Sequence, residues 1–469
     1  MTAPDIKRRT TTAPETRDLP EVPALRKMVG PGVIAVGIGM AAGEIIIWPY
    51  ITSIAGFGLL WLAIVTLIMQ VVINMEIERY TLATGQTVVA GFSRWWKGWG
   101  ALIILGGVFQ YAWPGWATSA ATVFSFTVGG DATWVAVISL WVIGLLLSAS
   151  PVVYKTVEKV EVVKVAATIF FLAVITVAVL TWRTMGSGAA SLATSFGQIP
   201  KEVPFVLMLS AIGAAGAGGV HNLVISNWIR DKGYGMGAHV PRLVSPLTGH
   251  EEAAGTDRYA FPETPENMTR WALWWKRANI EHFVSFFVIC FITISLMSFL
   301  AYQTLYGRDD VTTDNFLQIQ GEILGSTVGA WLKVLFFSVA VVSLWAAALG
   351  LLDVIGRVSA DFVKRNYLAD STISESKLYF AFVWAEILFG SAILLLGIDQ
   401  PLALLLISTC AASVVTLIYS VLLIRLNSKD LPKAIGIRGW RLVMMCLAVG
   451  FYAFFAIGTL VTQVQDKLL

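Results

Sequence analysis

About eleven times along this 469-residue chain, a run of roughly twenty apolar residues gives way to a segment that gathers the charges. This alternation constrains the fold more than any other feature. A helix of that length crosses the hydrocarbon core of a bilayer, where every backbone group must be satisfied within the span. Composition agrees: 57% of residues are hydrophobic and 13% are charged, against about 25% charged in soluble domains. The expected class is an all-α membrane protein with lipid as its solvent. The net charge of +3 is spread between spans, so there is no continuous basic patch and no nucleic-acid partner is expected. Cys290, Cys410 and Cys446 stand singly in apolar stretches without CxxC spacing, as small apolar fillers do.

Spans are expected at 32–54, 57–81, 99–127, 134–150, 161–182 and 203–228, then at 279–304, 326–355, 377–398, 401–425 and 437–463. With the N-terminus cytoplasmic, only Arg183, Lys201, Arg308, Lys333 and Lys467 of the 33 Lys and Arg fall outside. The positive-inside rule favours this orientation. The expectation is a multi-pass protein of the cell (inner) membrane with its C-terminus external. Residues 1–30, polar and rich in Thr, Pro and Arg, read as a disordered cytoplasmic tail. Residues 31–182 form a first set of five helices, 203–425 a second set, and 437–463 an extra helix. The cytoplasmic insertion 229–278 begins as loop, with Gly233, Gly235, Gly237, Pro241 and Pro246. Thr264 then caps a helix with Pro265 in its first position, and Trp271 and Trp274 alternate with Arg270 and Arg277. That pattern predicts a short amphipathic helix lying at the membrane surface.

Two spans carry glycine-rich interruptions. Helix 1 runs through Gly37, Gly39, Met40, Ala41, Ala42, Gly43 and Glu44; helix 6 runs through Gly213, Gly216, Gly218, Gly219, Val220, His221 and Asn222. Glycine also serves close helix packing, but these runs begin the two five-helix sets. Interrupted helices in corresponding positions point to inverted repeats with a midplane substrate site. Glu44, about twelve residues into its span, is the ionisable side chain most expensive to place there, and so a functional candidate. His221 and Asn222 occupy the equivalent point of helix 6. Helix 3 offers Gln110, Tyr111, Trp113, Pro114, Gly115 and Trp116, a kinked aromatic cluster able to line a cation path. Glu76, Glu78, Glu281, Lys333 and Asp353 sit nearer span ends, where each is expected to reach an interface or pair locally.

The stretch GPGVIAVGIGMAAGEIIIWPYITSIAGFGLLW, followed by ERYTLATGQ, resembles the first two helices of the Nramp family of divalent-metal transporters, and HNLVIS at 221–226 falls at that family's helix-6 motif. The resemblance implies the amino-acid/polyamine/organocation superfamily fold, with metal held between unwound helices 1 and 6. Where the family has Asp-Pro-Gly-Asn, this chain has Ala41, Ala42, Gly43 and Glu44; where it has Met-Pro-His, this chain has Gly219, Val220 and His221. The family's helix-3 acids, which serve coupled protons, align with Pro114 and Ala117. In helix 10, Ser408, Thr409, Ser413 and Thr416 stand near its metal-facing glutamine.

The expected site therefore comprises Ala41, Gly43, Glu44, Gly216, Gly219, His221, Asn222, Gln110, Trp113 and Trp116, with Glu44 the one metal-ligand candidate. Loss of Asp and Met predicts a wider cavity with one carboxylate and one imidazole. The resemblance implies a divalent metal such as magnesium or manganese. The residues alone leave open a small organic cation, with Glu44 as counter-ion and Trp113 or Trp116 as cage. A non-transporting receptor on the same scaffold is the remaining alternative. A membrane enzyme is disfavoured, since no HExxH, nucleophile motif or cofactor loop is present, and no cofactor is expected.

Overall fold

The computed structural model describes residues 14–25, 28, 31–149, 153–240, 258–313, 315–368 and 371–468. Span 1 comprises Pro31–Gly39 and Trp48–Ala55, joined through a wide π-helical turn at Ala42–Ile47. Spans 2, 4 and 5 are the continuous helices Leu60–Thr84, Ala132–Ala149 and Val153–Ala178. Span 3 is split into Lys97–Tyr111 and Gly115–Val128, and span 6 into Phe205–Ala214, Val220–Leu223 and Ile225–Lys232. Span 7 is Pro265–Thr304. Spans 8 to 11 are Ala330–Asn366, Glu375–Leu395, Pro401–Lys429 and Trp440–Leu468. Among the described residues nine helices are individually long and apolar enough to cross a membrane; spans 3 and 6 complete eleven once their broken halves are joined. In span 3 the break falls at Pro114, which has no N–H to continue the ladder.

The first ten spans form two sets of five. Span 1 packs on span 5 as span 6 packs on span 10, span 3 on 4 as span 8 on 9, and span 3 meets span 8 across the molecule. Five crossings are an odd number, so the second set starts from the opposite face and the repeats are inverted. Leu105, Phe109, Leu145, Phe170, Phe389 and Leu460 are exposed on the outer surface, an arrangement stable against lipid and costly against water.

Several helices run past their expected ends. Span 5 begins at Val153 rather than near 161, and span 8 continues to Asn366 rather than 355. Charges that look like loop in the sequence are neutralised against one another inside the protein. Asp353 accepts Arg357 Nε at 2.7 and 2.8 Å and the Tyr379 hydroxyl at 2.8 Å. Arg357 also donates to Asp231. Arg230 meets Asp361 at 3.0 Å and Glu375 at 2.9 Å. Glu76 pairs with Arg79 at 2.8 Å and Arg441 at 3.3 Å, and Glu78 with His282 at 2.9 Å. These groups lock spans 2, 6, 7, 8, 9 and 11 together at one end of the molecule.

The segment from 265 does not lie as a separate surface helix. It continues through a π-helical turn at Phe283–Val288 into Ile289–Thr304, so span 7 is one long helical run whose first half packs on spans 1 and 2. Its start is as expected: the Thr264 side chain accepts from Asn267 N, with Pro265 in the first turn. This first half is also held by residues 14–25, which form an ordered strap where a loose tail was expected. Glu15–Thr16 pairs in parallel with Tyr259–Ala260. Leu19 N donates to Asn267 Oδ1 at 3.0 Å, and Trp274 Nε1 to Pro20 O at 2.9 Å. The tail's residues 1–13, and Pro241 and Pro246 of the insertion, lie outside the described residues. Asn267 also donates to Asp18 Oδ1 at 2.9 Å and to Pro262 O at 3.1 Å. Asn267→Ala should cost about 1–3 kcal/mol by orphaning these partners. It should also make the chain before residue 25 several-fold more sensitive to limited proteolysis, whereas an unchanged cleavage rate would mean the strap is held elsewhere.

Candidate functional site

The two broken helices meet backbone to backbone. In span 1, Ala41 N bonds back to Gly39 O at 2.6 Å, and Ile45 N resumes the ladder on Ala41 O at 2.9 Å. In span 6 the chain is unwound from Ala215 to Gly219, with Gly216 at φ +72° and Gly219 at φ +66°, a left-handed region that disfavours any Cβ. A Cβ on Gly39 would overlap the carbonyl of Gly216, and one on Gly43 the carbonyl of Ala214.

Unwinding frees backbone groups that lipid cannot satisfy, and side chains from three neighbouring spans take them. Gln70 accepts Ala217 N at 3.0 Å and donates to Ile212 O at 3.3 Å. Gln110 accepts Val220 N at 3.2 Å and donates to Gly218 O at 3.2 Å, where the Tyr111 hydroxyl also donates at 3.3 Å. Thr416 Oγ1 accepts Gly219 N at 2.8 Å. Asn222 Nδ2 reaches the Tyr419 hydroxyl at 2.8 Å, which in turn reaches Thr416 at 3.3 Å.

At the meeting point is a cavity of about 30 Å³, lined by Gly39, Gly43, Gly216, His221, Gln110 and Trp116 among others. It has room for one or two waters. Without side chains at Gly39 and Gly43 the two backbones close up beside it. Of the expected site residues, Gly43, Gly216, His221, Gln110 and Trp116 line the cavity. Ala41, Glu44, Gly219, Asn222 and Trp113 do not. Ala41 is the turn itself, while Gly219 and Asn222 hold the break in span 6. Trp113 packs edge-on against lipid-facing Phe109 at 6.2 Å, whereas Trp116 lines the cavity beside Tyr111 at 6.1 Å, so of the two tryptophans only Trp116 presents an aromatic face there.

Glu44 is buried immediately behind the cavity wall. Its carboxylate faces the backbone amides of Ala41, Glu44 and Gly216, yet neither oxygen closes a hydrogen bond among the described residues, and His221 Nε2 is likewise unpartnered. Two more buried ionisable groups went unnoticed in the sequence reading. Lys164 of span 5 donates to Gly37 O in span 1 and lies 3.4 Å from Glu161. Their signal was present, as was that of Gln70: polar residues well inside apolar runs. Among the described residues no three His, Cys, Asp or Glu side chains gather as a metal cage. Any ion held here relies on carbonyl and hydroxyl oxygens as much as on charge.

A second cavity of about 260 Å³ opens at the end remote from the strap, lined by Ile46, Thr118, Phe126, Phe316 and Asp399 among others. Ile46 belongs to the π-helical turn of span 1, the same turn that carries Glu44.

Two inverted sets of five helices, the first of each broken at one shared midplane site, are the architecture of an inverted-repeat membrane transporter. The chain belongs to the Nramp (natural resistance-associated macrophage protein-like) family, whose sequence pattern matches residues 52–462. It is a divergent member, since Ala41, Ala42 and Glu44, and Gly219 and Val220, replace the usual motif residues. The fold is similar to that of variants of the manganese transporter of Eremococcus coleocola, at 13% identity and TM-score 0.67, covering 96% of this chain and 89% of that one. The same transporter in complex with an aromatic bis-isothiourea compound aligns with TM-score 0.66 at 12% identity over the same shares. A nucleobase-cation-symport-1 family transporter, closed around bromovinylhydantoin, is more distant at TM-score 0.50 and 13% identity, with 92% and 90% covered. No curated protein is significantly similar in sequence.

Proposed function

We propose that this protein is a secondary transporter that carries a divalent cation across the cell membrane by alternating access, with the strap face cytoplasmic. One observation carries the reading: a small midplane cavity between two broken helices has an imidazole with an unpartnered nitrogen, His221 Nε2, in its lining and an unpartnered carboxylate, Glu44, behind its wall. Family membership supports it, and the fold resembles that of a transporter described as carrying manganese. The cavity's size speaks for an ion and against an organic cation. Its polar lining is oxygen-rich, with Thr409, Gln110, Tyr111 and backbone at several glycines, and no methionine is among the described residues that line it. Such a set suits a hard ion that keeps part of its water, so magnesium should be accepted beside manganese. Glu44 supplies the counter-charge once span 1 shifts enough to admit the ion.

In proteoliposomes loaded with a magnesium-sensitive dye, influx should saturate with external magnesium and compete with manganese. Glu44→Gln should lower it by about tenfold or more, the loss of one charge contact of about 1.4 kcal/mol. Folded protein that binds either ion without flux would instead establish a receptor, and neither binding nor flux for both metals would overturn the metal reading.

A further inference from the structure

Apart from His282, which faces Glu78, the buried basic side chains in ion pairs among the described residues are the arginines Arg79, Arg230 and Arg357 and one lysine, Lys164, fully inaccessible in span 5. Arginine does not titrate in proteins; lysine does. Lys164 also has a distinctive partner. The break in span 1 turns Ala41 N back to Gly39 O, so Gly37 O loses the amide that would continue its helix. The Lys164 ammonium takes that carbonyl. Glu161, one turn earlier, balances it at 3.4 Å, while neither Glu161 oxygen closes a hydrogen bond. Glu161 is wedged between spans 1 and 8, where only glycine fits: a Cβ on Gly37 would strike its side chain, and one on Gly350 would come within 3.1 Å of Oε1. The pair thus sits at the junction of spans 1, 5 and 8, outside the cavity, and fastens the half of span 1 that begins at Pro31.

We propose that Lys164 and Glu161 form a proton-exchange site whose occupancy decides whether the first half of span 1 stays docked on span 5. With the proton on Lys164, the ammonium holds Gly37 O and Glu161 neutralises it. When the N–H bond breaks and the proton passes to water reaching the junction, an amine and an uncompensated carboxylate remain. The charge-assisted bond to Gly37 O is thereby lost and the half-helix is released, with hydration of the carboxylate adding to the release; taking up a proton reverses the step. The other charged or titratable groups facing the pair are Glu44 from span 1, His221 from span 6 and Asp353 from span 8; span 7 brings Cys290, on the Glu44 side.

The test uses no cargo, so its result is independent of metal flux. Amide hydrogen exchange of the peptide covering residues 31–44 is followed by mass spectrometry on the full-length purified protein from pH 6 to 9, normalised for the chemical exchange rate. Protection in the unaltered protein should fall with rising pH by up to about tenfold per unit, as for one titrating proton. Lys164→Arg, which keeps the charge but cannot release it, should leave protection high and flat. Glu161→Gln, which removes the carboxylate that retains the proton, should move the fall to lower pH. A flat profile in the unaltered protein, or the same pH-dependent fall in Lys164→Arg, would overturn the proposal. If Lys164→Arg does not fold, the unaltered and Glu161→Gln profiles decide, and coincident curves would count against it.

Discussion

Arg357→Met is expected to destabilise the protein by about 3–5 kcal/mol, the usual consequence of removing one partner from a buried charge pair. Arg357 is 1% exposed and holds both Asp353, at 2.7 Å, and Asp231. Methionine keeps the aliphatic stem but leaves Asp353 buried without a cation and Asp231 with only the longer contact to Arg230, at 3.6 Å. A guanidinium lying 5.9 Å over the Tyr379 ring is lost as well. Thermal unfolding in detergent, followed by tryptophan fluorescence, reads the effect. The double variant Arg357→Met with Asp353→Asn should lose less than the two single losses added, because the partners are coupled. If the single variant melts with the unaltered protein, the buried network contributes nothing to holding spans 6, 8 and 9 together.

Gly39→Val is expected to reduce magnesium influx by about a hundredfold, since small displacements of a reacting or binding centre cost about that much. Its Cβ would overlap the Gly216 carbonyl, a backbone atom that no rotamer change can move. The two breaks must separate, and the groups at the cavity edge separate with them. Gly186→Ala is the control: a Cβ there meets nothing within 4 Å, so influx should be unchanged and stability unaltered or up to about 1 kcal/mol higher from helix propensity. Gly39→Val protein that folds and transports at the normal rate would show that the backbones need not touch during the cycle.

Both predictions concern places where the sequence was only partly legible. The glycine runs of helices 1 and 6 marked the breaks correctly because unwinding is a local matter: Gly216 and Gly219 adopt backbone angles that other residues resist. The contents of the site were harder to read. Glu44 looked like a residue inside the substrate site, yet in this conformation it stands behind the wall, because the π-helical turn at Ala42–Ile47 rotates it away from Gly43. Trp113 and Trp116 looked equivalent, three residues apart, but the break at Pro114 sends one toward lipid and the other inward. Asp353, expected to reach an interface or pair locally, does pair with Arg357 one turn on, but inside a buried network that also takes in Asp231 and Tyr379.

Sequence by itself determined what depends on the solvent and on neighbouring residues: the membrane class, the count of eleven spans, the two interrupted helices and the family. A bilayer imposes length and hydrophobicity on each span separately, so these can be read one segment at a time. Tertiary structure alone decided which charges were affordable and where. Lys164 and Gly37, Arg357 and Asp231, and Gln70 with the unwound backbone of span 6 each meet across more than a hundred residues. The cost of burying a polar group is set by the partner it meets in space, and that partner has no fixed spacing in the chain.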